Sequence, residues 1–131
     1  KYRDISVMLE TIFDSIPDII GIQDLDHRII RYNKAGYEFL KGSPESIDGK
    51  TCFQLIGRDI PCDTCATTEA CRTKHSSRIE RFFPELARWI EIRSYPVIDA
   101  QGNPEKVIEH LRDITDLKKA EEEKLALERH L

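Results

Sequence analysis

The segment RWIEIRSYPVID (88–99) alternates in character from residue to residue, which is the pattern of a β-strand with two different faces. Ile90, Ile92 and Ser94 fall on one face, and the residues between them fall on the other. The turn sequence DAQGNP follows, and EKVIEHLRDIT (105–115) then has the pattern of another strand. A turn this short joins strands that run in opposite directions. The second half of the chain is therefore constrained to form an antiparallel sheet.

Three further strands and several short helices complete the predicted fold. The strands are SRIERFF (77–83), DIIGIQDL (18–25) and RIIRYN (28–33), and Asp26-His27 is the turn between the last two. Short helices are predicted after the capping residues Asn33, Ser43, Thr51 and Asp63, and the last helix runs from Thr64 to about Lys74. The prediction is an α+β fold, with a five-stranded antiparallel sheet, short helices packed on one face, and helices at both termini.

Both ends of the chain are predicted to be helical. Residues 4–16 place apolar side chains at helical spacing, with Asp4 as the cap and Pro17 after the last turn. This apolar face either packs on its own domain or pairs with a second copy of the chain, and spacing alone does not separate the two. The C-terminal helix carries an apolar row made of Leu117, Ala120, Leu127 and Leu131. We divide the chain into an N-terminal helix (1–16), a central domain (17–115) and a C-terminal helix (116–131).

The composition argues against several classes of function. The net charge is −4 without a basic stripe, which argues against nucleic-acid binding. No apolar run reaches the ~20 residues that span a bilayer, so we expect no membrane contact by this segment. No paired carboxylates, Ser-His-Asp set or phosphate-binding glycine loop stands out, so we expect a regulatory domain rather than an enzyme. Because the chain starts abruptly at Lys1 in a helix-like stretch, we expect it to be a piece of a longer protein.

Two stretches, taken together and in order, resemble the PAS sensor domain family. They are IPDIIGIQDLDHRIIRYNKAGYEFLKGSPESIDGK in the first half and PVIDAQGNPEKVIEHLRDITDLKKAE in the second. The second stretch is the more specific, because its residues stand at family-like spacing before a helix, namely Pro96, Asp99, Gly102 and the tripeptide Asp113-Ile114-Thr115. The resemblance covers nearly the whole chain, and it implies that residues 17–115 are a PAS sensor domain.

The resemblance implies a role in signalling. A change in the sheet or its pocket would move the C-terminal helix through Asp113, Ile114 and Thr115. We expect Thr115 or Asp116 to cap that helix, which would join it stiffly to the strand. The helix would feed a fused output domain of a bacterial or archaeal protein. The expected output is a sensor histidine kinase in a two-component phosphorelay, with a diguanylate cyclase or a transcription regulator as alternatives. We expect a cytoplasmic homodimer, formed through the terminal helices, in a parent protein that can be membrane-anchored.

Members of the family differ in cofactor, and the residues of this chain bear on each one. In the flavin photosensors of the family, an asparagine and an arginine flank the cysteine. In this chain Thr51 and Phe53 flank Cys52 instead, so flavin is disfavoured. Haem is disfavoured, because its axial ligand would have to be His75 or His110, and such histidines are more often surface or hydrogen-bonded groups. Our first expectation is that the domain holds no resident cofactor. A small organic ligand is the second expectation, and zinc or an iron–sulfur cluster is the third.

A ligand pocket would lie between the sheet and the helices. Its predicted lining residues are Ile20, Ile22, Phe39, Leu55, Ile90, Ile92 and His110. The apolar members of this set can instead simply form the core.

All four cysteines fall within one run of twenty residues, at Cys52, Cys62, Cys65 and Cys71. Three interpretations stay open, namely reduced structural thiols, a disulfide or redox switch at the CxxC pair Cys62 and Cys65, and a metal site. The spacing matches neither ferredoxin pattern. On one uninterrupted helix Cys65 and Cys71 would point in different directions, so a metal site needs that helix to bend or to start late. A cysteine-based redox or metal-binding regulatory domain is therefore the alternative function.

Overall fold

Five antiparallel strands form one sheet, as the sequence predicts. The structure is a computed structural model that describes residues 2–62 and 65–130. The strands are β1 (Ile19–Gln23), β2 (Ile29–Tyr32), β3 (Ser77–Phe83), β4 (Arg88–Ile98) and β5 (Pro104–Asp113). Their order across the sheet is β2-β1-β5-β4-β3. The last strand of the chain therefore lies at the centre of the sheet, where it pairs with both β1 and β4.

Six helices are described, and the short ones cover a single face of the sheet. They are α1 (Tyr2–Ser15), α2 (Lys34–Leu40), α3 (Pro44–Ile47), α4 (Cys52–Leu55), α5 (Ala66–Thr73) and α6 (Thr115–Arg129). We call the sheet face under α2, α4 and α5 the inner face, and the opposite face the outer face. The α+β class and the sheet with helices on one face are confirmed. Among the described residues, no helix combines the length and apolar character needed to cross a membrane.

Three of the predicted helix caps are changed. The helix α1 begins at Tyr2, so that Asp4 lies in its first turn instead of capping it. The N-cap position of α6 is Ile114, which offers no side-chain hydrogen bond, and Thr115 is already helical. Asp63 and Thr64 lie outside the described residues, and Cys65 occupies the N-cap position of α5. By contrast, the predicted caps Asn33, Ser43 and Thr51 all accept a backbone hydrogen bond from the helix that they precede.

Asn33 ties three elements together at one end of the sheet. Its side chain is fully buried, and Oδ1 accepts hydrogen bonds from the backbone of Gly36 at 3.1 Å and of Ile20 at 3.1 Å. Its Nδ2 donates to the carbonyl oxygens of Ile16 at 3.3 Å and Asp18 at 2.9 Å. One amide therefore caps α2, holds the segment after α1 and fixes the start of β1. Such a satisfied buried amide specifies local geometry, because each of its groups would be costly to leave unpaired.

Candidate functional site in a cavity beneath the helices

The inner face of the sheet and the covering helices enclose a cavity of about 300 Å³. Its floor consists of two rows of residues. Within each row, the residues are paired across neighbouring strands. One row is apolar and contains Ile19, Leu111, Ile92 and Ile79. The next row contains Asp113, Ile90 and Arg81. The walls come from the helices and include Ala35, Phe39, Phe53, Leu55 and Ala66. A mostly apolar cavity of this size suits a small organic molecule.

One end of the cavity is polar because of Glu109. This residue is 7% exposed, and it lies in register with Gly21 of β1 and Ser94 of β4. Thr67 at the start of α5 donates its hydroxyl to Oε1 of Glu109 at 2.7 Å, and its oxygen lies 3.4 Å from that of Ser94. Burial raises the pKa of Glu109, and the bond from Thr67 only partly opposes this. Glu109 therefore keeps its proton to a higher pH than an exposed glutamate, so that it can both donate and accept a hydrogen bond.

The predicted pocket residues divide between the two faces of the sheet. Phe39, Leu55, Ile90 and Ile92 line the cavity, and Ile20, Ile22 and His110 do not. The difference in β1 is an offset of one residue, since Ile19 lines the cavity and its neighbour must point to the outer face. His110 pairs with Ile20 across the strands, and its Nε2 lies 2.8 Å from Oδ2 of Asp18.

Sequence reasoning did not find the polar end of the cavity or the histidine beside it. Glu109 carried a usable signal, because it alternates with Val107 and Leu111 on one face of β5. Thr67 and His27 carried none. His27 was assigned only to a turn, and its role depends on a helix that comes forty residues later in the chain.

Three of the four cysteines reach this cavity. Cys52, Cys62 and Cys65 contribute to its lining, and Cys71 does not. All four are free thiols and half-buried. The helix α5 does start late, after Cys65, yet among the residues of 2–62 and 65–130 no three His, Cys, Asp or Glu side chains are grouped so as to hold a metal ion.

The cavity thiols differ in acidity. Burial, together with the negative charge of Glu109, raises the pKa of Cys52 to about 12. Burial also acts to raise the pKa of Cys65, but the neighbouring imidazole of His27 and the backbone and hydroxyl of Thr68 outweigh it. The pKa of Cys65 therefore falls to about 7. Near neutral pH a substantial part of Cys65 is thiolate, while Cys52 stays protonated.

The predicted relay tripeptide joins the sheet to α6 through a compact set of hydrogen bonds. The Oδ1 of Asp113 accepts from the backbone N–H of Thr115 at 2.9 Å and from its hydroxyl at 2.6 Å. The same hydroxyl oxygen accepts from the backbone N–H of Trp89 at 3.0 Å, and Ile114 N–H donates to the Trp89 carbonyl at 2.9 Å. Thr115 is 6% exposed. The junction between β5 and α6 is therefore also bonded to β4.

A chain of charges ties α6 to the outer face of the sheet. Lys118 lies 2.7 Å from Oε1 of Glu80, whose Oε2 accepts from Arg78 at 2.6 Å. Arg78 also donates to Glu91 of β4 at 2.7 Å. The ammonium of Lys118 lies 5.1 Å from the ring centre of Trp89. The first turn of α6 is thus held at two places, by buried hydrogen bonds and by this surface network.

The chain matches the family model of the PAS fold over residues 13–119. It therefore belongs to the PAS fold family, which confirms the resemblance carried by its two sequence stretches. As a PAS domain, it is a regulatory sensory module rather than an enzyme. A comparison with curated proteins finds no match.

Solved structures with the same fold include three that match most of this chain. A PAS domain from Colwellia psychrerythraea is 23% identical, with a TM-score of 0.67 over 86% of this chain and 98% of that one. A sensory box sensor histidine kinase from Vibrio cholerae is 17% identical, with a TM-score of 0.62 over 87% of this chain and 94% of that one. An RNA-binding Light-Oxygen-Voltage receptor is 17% identical, with a TM-score of 0.70 over 92% of this chain but only 37% of that one. At these identities the likeness concerns the fold alone.

Proposed function

We propose that this chain is the signal-sensing and dimerising module of a multidomain signal-transduction protein. A small organic molecule binds in the cavity, and its presence is relayed through Asp113, Ile114 and Thr115 to α6. The fused output domain is a sensor histidine kinase of a two-component phosphorelay. This choice is supported by the likeness to the sensor kinase domain from Vibrio cholerae. A diguanylate cyclase or a transcription regulator is the alternative output.

The single observation that carries the proposal is that the cavity and the relay share a residue. Asp113 lines the cavity next to Ile90, its partner across the strands. The carboxylate of the same residue accepts both hydrogen bonds from Thr115. A molecule that displaces the Asp113 end of β5 must therefore strain the bonds that fix the first turn of α6. A ligand shifts such an equilibrium only by its differential contacts with the two states, and Asp113 is the group through which those contacts act.

The lining restricts the chemistry of the ligand. Most of the cavity surface is apolar, and the protonated form of Glu109 offers one donor and one acceptor at the polar end. The best fit is a small, uncharged molecule with one polar edge, because a charged group would lose its hydration against the largely apolar lining. We propose that the Glu109 carboxyl bonds this edge and that Ile92 and Phe39 contact the apolar part.

The second copy of the chain is proposed to pack on α1. Five apolar side chains of this helix are about half exposed or more, namely Ile5, Val7, Met8, Leu9 and Ile12. Its own domain therefore leaves the apolar face of α1 largely uncovered, which supports the pairing alternative over packing on the same domain. Leu117, Leu125 and Leu127 of α6 are exposed in the same way and extend the pairing surface toward the output domain.

Binding is tested by a thermal-shift screen of small aromatic fragments against the 131-residue chain. We expect uncharged fragments to raise the melting temperature of the wild type. The variant Ile92→Phe fills the cavity and should abolish that shift, while the control Ile22→Phe adds the same ring on the outer face and should keep it. A screen without any stabilising fragment, or equal responses of both variants, would refute ligand binding in this cavity.

The relay is tested with the single tryptophan as a reporter. Trp89 contacts both Thr115 and Lys118, so a movement of α6 must change the surroundings of its ring. We expect a fragment that binds the wild type to shift the Trp89 emission, and we expect no such shift when the same fragment binds Thr115→Val. Binding that leaves the emission of Trp89 unchanged would separate the cavity from α6 and end the relay proposal.

A further inference from the structure

Three thiols share the cavity, and one of them lies beside the imidazole of His27. Cys52 sits in the first turn of α4, Cys62 lies in the loop after it, and Cys65 holds the N-cap position of α5. Cys71 lies further along α5 and is not part of the lining. His27 reaches this group from the turn between β1 and β2, where its backbone adopts a φ of +66°. Such a left-handed conformation is uncommon for residues other than glycine, although histidine adopts it more readily than most.

The imidazole of His27 is held by its surroundings on several sides. Its backbone carbonyl accepts from the N–H of Cys52 at 2.9 Å, and its ring packs edge-on to Phe53 with centroids 6.3 Å apart. Its Nε2 lies 3.5 Å from the hydroxyl of Thr68, in the first turn of α5. Its Nδ1 is buried, and no group within the described residues 2–62 and 65–130 forms a hydrogen bond with it. A buried polar nitrogen without a partner is unusual, and its presence beside Cys65 gives it a group with which it can exchange a proton.

The electrostatic surroundings favour a charged pair. The neighbouring thiol of Cys65 raises the pKa of His27, and burial opposes this less strongly. Asp24 adds negative charge on the side of His27, and Glu109 does so in its ionised form. Among the described residues, other ionisable groups near this site include Cys52 from α4, Cys71 from α5, and Cys62 with its partner Arg58. The site is thus arranged to hold a thiolate and an imidazolium together.

We propose that Cys65 is a redox-active nucleophile that senses small hydroperoxides entering the cavity, with His27 as its proton partner and Cys62 as the second thiol. The Cys65 thiolate attacks one oxygen of the peroxide O–O bond and becomes a sulfenic acid. The other oxygen leaves as an alkoxide or hydroxide and takes the proton from the His27 imidazolium. The sulfur of Cys62 then attacks the sulfenic sulfur, a disulfide forms, and water is released. The peroxide is reduced, and the two thiols lose two electrons in total.

Two observations favour Cys62 over Cys52 as the second thiol. The CxxC spacing can bring the two Cα atoms within the ~7 Å that a disulfide requires. The Nη1 of Arg58 donates to Sγ of Cys62 at 3.3 Å, which stabilises negative charge on that sulfur as it attacks. Cys52 is disfavoured, because its protonated thiol is a poor nucleophile. This inference goes beyond ligand sensing and stands without it, since the thiol chemistry needs no organic ligand.

The first experiment follows the products of oxidation. The reduced chain is treated with hydrogen peroxide, and the modified cysteines are mapped by mass spectrometry. We expect the wild type and the control Cys71→Ser to form a disulfide between Cys62 and Cys65. We expect Cys62→Ser to accumulate a sulfenic acid at Cys65 that dimedone traps. Oxidation of Cys65→Ser at the wild-type rate, or dimedone adducts only on other cysteines, would overturn the proposal.

The second experiment measures Cys65 itself. In a chain with serine at the other three cysteines, the rate of alkylation by iodoacetamide is followed against pH. We expect a midpoint at about 7, which His27→Gln should move toward the ~8.5 of a free thiol. The midpoint is measured instead of the rate at one pH. A thiolate with a higher pKa is intrinsically more reactive, which partly offsets the lower fraction of thiolate in the variant. If the chain that retains His27 shows a midpoint near that of a free thiol, Cys65 and His27 are not an ion pair. This outcome refutes the proposal even if the His27 variant does not fold.

Discussion

Replacing Thr115 by valine tests the hydrogen bonds that join the sheet to α6. Valine has nearly the shape of threonine, so the change removes the hydroxyl and leaves the packing in place. That hydroxyl donates to Asp113 at 2.6 Å and accepts from the backbone of Trp89 at 3.0 Å. A bond to a carboxylate contributes about 1.5–3 kcal/mol, and a buried N–H left unpaired costs about 1–3 kcal/mol. Because Asp113 is partly exposed and keeps its bond from the Thr115 backbone, we expect a loss of about 2–4 kcal/mol in total.

The matched control is Thr115→Ser, which keeps the hydroxyl and removes only a methyl group. We expect it to cost about 1 kcal/mol. Urea unfolding followed by circular dichroism gives the free energy of unfolding of all three proteins, and hydrogen exchange reports the opening of the Trp89 amide. We expect the Trp89 amide to exchange faster in the valine variant than in the serine variant. If valine and serine destabilise the chain equally, the two hydrogen bonds do not hold the junction, and this account of it fails.

Three further substitutions test other parts of the structure. Asn33→Ala removes four hydrogen bonds, one buried and three part-buried, and should lower the free energy of unfolding by about 3–4 kcal/mol. A loss below about 1 kcal/mol would contradict the role of this amide. Gly36→Ala would place a Cβ 2.8 Å from Cβ, Cγ and Cδ1 of Tyr32. It should destabilise by about 1–3 kcal/mol in the same assay despite the better helix propensity of alanine, and a stabilised variant would show that Tyr32 yields freely. Glu109 has a raised pKa in the folded state, so its own contribution to stability is fully present below the ordinary value of about 4.3 and is lost as the pH rises through the folded pKa. Glu109→Gln should flatten this fall in urea midpoints measured against pH, and an unchanged profile would exclude Glu109 as its cause.

The strands could be read from short-range patterns in the sequence. The alternation through Ile90, Ile92 and Ser94 identified the inner face of β4 correctly, and the strand 77–83 has the predicted bounds. The helix caps Asn33, Ser43 and Thr51 were also identified. These features succeed because each depends on residues only a few positions apart, where backbone geometry and hydrogen-bonding partners are fixed locally.

The face of β1 could not be determined in the same way. Ile19, Ile20 and Ile22 are all apolar, so the pattern leaves open which of them points inward. The register against β5 decides it, because Gly21 must lie beside Glu109 and under the ring of Tyr32. A Cβ at Gly21 would be 2.7 Å from that ring. A contact between strands ninety residues apart thus settles what the local sequence leaves open.

The amino-acid sequence by itself determined the α+β fold, the PAS family and the clustering of the cysteines. Only the tertiary structure placed Cys65 beside His27, buried Glu109 against Thr67, and brought the Thr115 hydroxyl to the backbone N–H of Trp89, from which it accepts a hydrogen bond. The physical reason is that secondary structure follows from periodicity within one segment, whereas acidity and hydrogen-bond partners depend on burial and on groups that distant segments bring together.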